Sequence, residues 1–471
     1  MKKKNKSYSR RKFLGTASCA ALGSATLLNG LLNLQMSSAL AAPSYHLSFQ
    51  PEEDYKALIC ILLAGGNDSY NMLVPTDTGP YNDYAATRSN QTLPRESLLP
   101  IVADGLNESY GLHPAMPELK QLFDQGNLAF LANVGTLIEP IQNKLDVDSG
   151  VAKLPLGLFS HADQVQQWQT SIPYERSSIG WAGRMADILQ ASSNSSDISM
   201  NISLSGNNVF QAGNNSIEFT ISPYGDGSSG IEGYNEPEMI NQIRTQAVKG
   251  LLEQQYQDVF KQTYADVIQN SQQNHELFKA SVSAVNLNTL FSPNFLSQSF
   301  QMIAKTIGAR QALGMSRQTF FVILPGFDNH DELLNNHQGL LRLLSLGMGE
   351  LQQALNELNI ADKVTTFTIS DFARTLTSNG NGTDHAWGGI SMMMGGAVKG
   401  RKMYGEYPSL ALRSNVDVGG GVLVPKVSSD EYFTELALWF GVSPSDLPLI
   451  LPNITNFYSP NSQTAPIGFL L

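Results

Sequence analysis

Four short apolar runs, each leading into a loop that carries aspartate, histidine or serine, constrain this chain more than any other feature. The runs span 55–63 (YKALICILL), 128–134 (LAFLANV), 319–324 (TFFVIL) and 364–370 (VTTFTIS). The first is too short for a lone helix, and its Ile and Leu content and glycine stop predict a buried strand; the other three read the same way. Between the third and fourth, Leu340, Leu341, Leu344, Met348, Leu351, Leu355 and Leu358 recur at helical spacing on one face. Strand, loop, long amphipathic helix and strand make a βαβ crossover. The expected fold is therefore α/β, with three α/β/α layers around a mostly parallel central sheet covered on both sides. Two helix ends are also legible. Residues 118–123 close a helix at Gly126, and Ser428 with Glu431 forms a capping box for a helix through Trp439 that Gly441 ends.

Composition matters here for what it excludes. With 42% hydrophobic and 15% charged residues, the 471-residue chain is globular rather than disordered. Its two cysteines, Cys19 and Cys60, rule out a disulfide scaffold and a cysteine-built zinc site. Residues 191–238 are rich in Ser, Asn and Gly, and 253–279 read as a Gln-rich polar helix. Residues 43–471 are thus expected to form one domain, with an insertion at about 190–300 over the sheet.

The first 42 residues are of another kind. Lys2, Lys3, Lys4, Lys6, Arg10, Arg11 and Lys12 precede an uncharged stretch that ends in Ala39-Leu40-Ala41-Ala42, small residues suited to a signal peptidase. Glycines, asparagines and serines dilute that stretch below a good membrane span, so no transmembrane anchor is expected in the mature form. Ser9-Arg10-Arg11-Lys12-Phe13-Leu14 resembles a twin-arginine export signal, which implies a periplasmic or secreted protein that folds before crossing the membrane. Seven positive and no negative charges lie in this segment, so the net charge of −11 becomes −18 without it. A surface that acidic argues against nucleic acid as a partner.

The polar residues fall in a pattern. Asp68 follows the first run. Ser160 and His161 open a helix-like stretch after the second, with Asp163 just beyond. Asp328 and His330 follow the third; Asp371 follows the fourth, with Asp384 and His385 thirteen residues later. The carboxyl ends of parallel strands share one edge, where ligands bind. Asp and His side chains gathered there suit one or two divalent ions such as zinc, magnesium, manganese or calcium, which favour phosphoryl-type displacement. Each residue also has a plainer role. Asp68 and Ser160 read equally as helix caps, His330 and His385 as holders of loop carbonyls, and Asp384 as a turn residue. His113 reads as a structural loop residue, and His337 as lying on the polar face of its helix, within reach of the site.

These stretches carry a resemblance. Residues 63–71 (LAGGNDSYN), Gly111-Leu-His-Pro-Ala115, Phe159-Ser-His161 with Gln164 and Trp168, Gly326-Phe-Asp-Asn-His330, Ser370-Asp-Phe-Ala-Arg-Thr375 and Gly382-Thr-Asp-His385 resemble the exported bacterial family called domain of unknown function 1501. That family is distantly similar to the alkaline phosphatase and sulfatase superfamily. The resemblance implies an alkaline-phosphatase-like fold and a metal-dependent hydrolase of phosphate or sulfate esters. Its partner would be a small-molecule ester or, in a non-catalytic role, another exported protein. It implies Asp68, Asp328, His330, Asp371 and His385 as metal ligands and Ser160 as nucleophile, with Arg374 neutralising the transferring group. The superfamily commonly has histidine where Phe372 stands, so a ligand is missing unless His161, Asp384 or His337 replaces it. No Cys-x-Pro-x-Arg signature is present, which argues against a formylglycine sulfatase.

Overall fold

Residue alternation explains how this sheet is buried. The protein is described by a computed structural model over residues 55–470; the proposed signal segment and Cys19 lie outside the described residues. In chain order the strands are β1 (Lys56–Ala64), β2 (Leu73–Pro75), β3 (Leu99–Ile101), β4 (Tyr110–Leu112), β5 (Leu128–Gly135), β6 (Asn201–Ser203), β7 (Phe219–Thr220), β8 (Arg317–Pro325), β9 (Val364–Ser370), β10 (Gly389–Met394), β11 (Met403–Tyr404) and β12 (Val427–Ser428). In β1, Ala57, Ile59, Ile61 and Leu63 face one core, while Leu58, Cys60 and Leu62 face the other. A strand buried on both faces has no solvent side to set an alternation, so β1 reads as a continuous apolar run, and in β9 Thr365, Thr366 and Thr368 are buried along with the apolar residues.

The helices Pro117–Asp124, Phe295–Gly308 and Leu333–Glu357 cover the first face. His161–Thr170, Trp181–Ser193 and Ser429–Phe440 cover the second. The result is the expected three-layer α/β/α arrangement. Main-sheet order is β11-β5-β10-β9-β1-β8-β6-β7, with β12 also on β5, and β2, β4 and β3 form a small separate sheet. β1 lies between β8 and β9 and pairs parallel with both, so the Leu333–Glu357 helix is the crossover of a βαβ unit. At Ser428 the capping box forms as expected, and Gly441 closes that helix in the left-handed conformation.

One strand departs from the expected pattern. β10 runs antiparallel to both β5 and β9. The segment after β9 lacks a helical pattern and folds back as a local ladder, in which the Ala386 amide donates to the Ala373 carbonyl and the Thr375 amide to that of Asp384. This reversal matters for the site. Both ends of the 371–388 loop stay at the carboxyl edge of the parallel strands, so His385 reaches that edge by preceding a strand rather than following one.

Part of the stretch at 190–300 belongs to the body: β6 and β7 extend the sheet, and Phe295–Gly308 packs on one of its faces. Between them, Met239–Leu252 and Val259–Ser283 form a helical arm. Among the described residues, no helix is long and apolar enough to cross a membrane.

Candidate metal centre

Three imidazoles and one carboxylate converge at the carboxyl edge. His161 Nε2 lies 3.1 Å from His385 Nε2, and His330 Nε2 lies 2.9 Å from the same atom. Asp328 Oδ1 lies 3.1 Å from His330 Nε2 and 3.5 Å from the Nε2 atoms of His161 and His385. Donors bonded at about 2.0–2.1 Å to one tetrahedral ion stand about 3.3–3.4 Å apart, so His161, Asp328 and His385, whose donor atoms lie within 4.8 Å of one another, are spaced for a common cation, with His330 beside His385 and Asp328.

The opposite ring nitrogens strengthen the case. His385 Nδ1 lies 2.8 Å from the Phe159 carbonyl, which only accepts, so the proton sits on Nδ1. His161 Nδ1 pairs with Asp371 Oδ2 at 2.6 Å, and His330 Nδ1 with Asp384 Oδ1 at 3.1 Å. A carboxylate behind an imidazole fixes the same tautomer and raises ligand basicity. The Nε2 lone pairs of His161 and His330 therefore each face that of His385. Lone pairs at that spacing repel unless a cation lies among them, and the fourth donor, an anionic carboxylate, makes a divalent ion a good fit.

Local backbone choices build this geometry. Gly65 has φ +119°, and a Cβ there would lie 2.3 Å from the Asp328 nitrogen, so glycine lets the 326–328 loop lie against the end of β1. The Gly65 amide donates to Asp371 Oδ1 at 3.0 Å, leaving Oδ2 for His161. Phe159 holds φ +77°, an uncommon conformation for a bulky residue, and its carbonyl meets His385.

Charge is balanced close by. Burial pushes the Asp328 carboxyl up, but the hydrogen bond from Arg374 and its positive charge outweigh it and hold it below the usual carboxylate range. Asp384 is held low mainly by its hydrogen bond from Asn379, with help from His330. Burial pushes the His385 imidazole down; the Phe159 carbonyl opposes this, while the Arg374 charge adds to it. An unprotonated imidazole and ionised carboxylates are the forms that bind a metal. The cluster is open to solvent, with the Asp328 side chain 48% and His330 44% exposed.

Not every residue singled out from sequence joins the cluster. Asp68 pairs instead with Arg88, and both are buried. Asp371 and Asp384 stand behind histidines, and His161 supplies an inward nitrogen. Ser160 caps its helix, accepting from the Asp163 amide at 3.5 Å. Arg374 is fully buried and spends its guanidinium on Asp328 Oδ1 at 2.9 Å, the Gly65 carbonyl and Thr383. It positions Asp328 rather than facing a substrate. His337, expected on the polar face of its helix, is buried, with Nε2 2.9 Å from Asn67 Oδ1. His113 is a structural loop residue, its Nδ1 accepting from the Ala115 amide. Phe372 packs on His161 and His385, with ring centroids 4.8 and 4.6 Å away. Two contributors escaped sequence reasoning. Arg88 lies on a helix with nothing to mark it, and Phe159 acts through its backbone, for which the sequence carries no signal.

A three-layer α/β sheet with a histidine–carboxylate cluster at its carboxyl edge defines an α/β protein with a candidate metal centre. The chain belongs to the family described as "Protein of unknown function (DUF1501)", whose sequence model matches residues 55–419. No curated protein matches it. Solved structures it is similar to include the lipoteichoic acid synthase LtaP from Listeria monocytogenes, at 8% identity and TM-score 0.36, covering 85% of this chain and 76% of that one. The PsFucS1 sulfatase from Pseudoalteromonas sp. matches at 8% identity and TM-score 0.32, covering 82% and 68%. A mutant of the alkaline phosphatase PafA matches at 12% identity and TM-score 0.23, covering 68% and 63%. Overlaps this partial leave the chemistry to be argued from the chain's own side chains.

Proposed function

We propose that the chain is an exported hydrolase of phosphate or sulfate esters that works with one divalent ion. The observation that carries this reading is the set of His161 Nε2, His385 Nε2 and Asp328 Oδ1 within 4.8 Å of one another, with His330 Nε2 beside them. His161, Asp328 and His385 would hold the ion, with His330 beside them. A divalent ion bound there supplies Lewis acidity, polarising an ester oxygen and making water a better nucleophile. Asp371, Asp384 and the Phe159 carbonyl keep the ring protons on Nδ1, so that each Nε2 stays unprotonated. Arg374 holds the Asp328 carboxylate in place. With Ser160 engaged as a cap, water is the nucleophile in this proposal. Its oxygen joins the phosphorus or sulfur as the ester bond breaks, and a proton leaves with the alcohol. Export rests on the twin-arginine-like segment.

Metal analysis of the mature protein, paired with a panel of phosphate and sulfate mono- and diesters, tests the reading. One ion per chain and ion-dependent turnover support it; a protein that neither binds an ion nor cleaves any ester removes it. A second reading, a secreted binding or assembly component, draws on Phe372, which packs on His161 and His385 at a position where the alkaline phosphatase and sulfatase superfamily commonly has histidine. A bound ion without turnover of any ester favours that reading.

A further inference from the structure

An apolar groove of about 470 Å³ lies at the carboxyl end of β8, lined by Phe295, Leu296, Ile323, Leu324, Leu340 and Leu343, among others. Its size is that of a small-molecule site. Phe295 is 40% exposed at its rim, although it opens an otherwise well-buried helix. The groove adjoins the cluster. Pro325 also lines it, and only two residues separate Pro325 from Asp328, a reach of at most about 10 Å of chain. On the groove side of the same loop, a Cβ at Gly326 would touch the Leu340 side chain at 3.4 Å, while on the other side Gly65 receives Asp328. One loop thus separates a solvent-open cluster of metal-ligand type from a wall of leucine, isoleucine and phenylalanine side chains.

We infer that the groove holds the apolar part of the substrate, so that the ester cleaved carries an alkyl or aryl-alkyl group reaching past the 326–328 loop. This rests on the metal-dependent hydrolase reading and adds the substrate class. The occupant is argued from continuity: an ester group at the cluster brings its organic substituent to the loop, and Pro325, at the near end of that loop, lines the groove. A sugar or a short polar alcohol would leave the half-buried Leu340 and Leu343 facing water, whereas each buried methylene strengthens binding by up to about fourfold.

The test uses the full mature chain loaded with zinc and the non-hydrolysable probes methane-, butane- and octanesulfonate, followed by calorimetry. The expected result is a Kd that falls with chain length, by at least tenfold from methane- to octanesulfonate. Leu343→Asp is expected to flatten the series. His385→Ala, which removes the anchor for the sulfonate, is expected to weaken all three probes. A flat series in the unaltered protein overturns the inference, as does a slope that persists undiminished in His385→Ala, because the groove would then act apart from the cluster. Turnover of short-chain aryl esters alongside a flat series removes only the inference and leaves the hydrolase reading standing. A protein without bound ion and without turnover removes both.

Discussion

Replacing Asp371 by asparagine tests the tautomer argument most sharply. Asp371 Oδ1 accepts from the Gly65 amide at 3.0 Å and Oδ2 from His161 Nδ1 at 2.6 Å. An asparagine has one acceptor and one donor end. If its oxygen stays on Gly65, its NH2 faces His161 Nδ1, which must then accept, and the ring proton moves to Nε2 and into the metal position. If it flips, two donors meet at Gly65, leaving a buried N–H unpaired at about 1–3 kcal/mol. The first arrangement costs the ion His161 as a ligand; the second keeps the tautomer but removes the negative charge behind the ring and strains the contact with Gly65. Loss of such a supporting carboxylate costs about 10–100-fold in metal affinity, or about 1.4–2.7 kcal/mol. Zinc affinity measured by chelator competition at pH 7.5, with thermal unfolding of the apo form as a control, gives the readout. Asp384→Asn is expected to cost less, since its bond to His330 is longer, at 3.1 Å, and its side chain is 60% exposed. An Asp371→Asn protein that binds zinc as tightly as the unaltered chain would refute the reasoning.

Other outcomes follow from the same contacts. Asp68→Ala breaks the buried pair with Arg88 and is expected to destabilise the fold by about 3–5 kcal/mol while one zinc per folded chain is retained, read by denaturant unfolding and metal analysis. A lost zinc with unchanged stability would make Asp68 a ligand instead. Arg374→Ala removes the hydrogen bond that helps hold Asp328 low, so zinc binding is expected to weaken more at pH 5 than at pH 7.5; equal weakening at both would contradict the charge argument. Burial pushes His113 and His337 each down to about 3 from 6.5, and their rings stand 5.9 Å apart. Histidines with a lowered folded pKa contribute stability in full above the unfolded value, and lose it as pH falls from about 6.5 towards 3. At pH 4.5 that amounts to about 2–3 kcal/mol for each, so the apo protein is expected to unfold in mild acid. His337→Asn should shift the midpoint to lower pH; circular dichroism would show it, and an unmoved midpoint would refute it.

Much of the fold was legible because the core demands it. The 364–370 run matches β9 to the residue, and Ser428 with Glu431 caps the helix that both residues mark. The reversal at β10 was not legible, since strand direction depends on whether the preceding segment can cross over, and 371–388 instead pairs with itself. His337 shows the limit of periodicity. Its position on the helix looks polar, but the loop bearing Asn67 folds over it, a contact 270 residues apart in sequence. At the cluster, residue types and their places after strands pointed to the right edge. Their roles were not readable, because Asp371, Asp384 and the Phe159 carbonyl decide which nitrogens face inward, and those contacts exist only once the loops are folded. Arg88 illustrates the same point for Asp68, a carboxylate at the right sequence position whose charge is already met by a neighbouring helix.

The central claim is a cation held by His161, Asp328 and His385, and the most direct measurement is the metal content of the mature protein after export by its native route. One equivalent of a divalent ion per chain, lost in both His161→Ala and His385→Ala while the fold persists, is the expected result. No bound ion, or an ion that survives both substitutions, would contradict it.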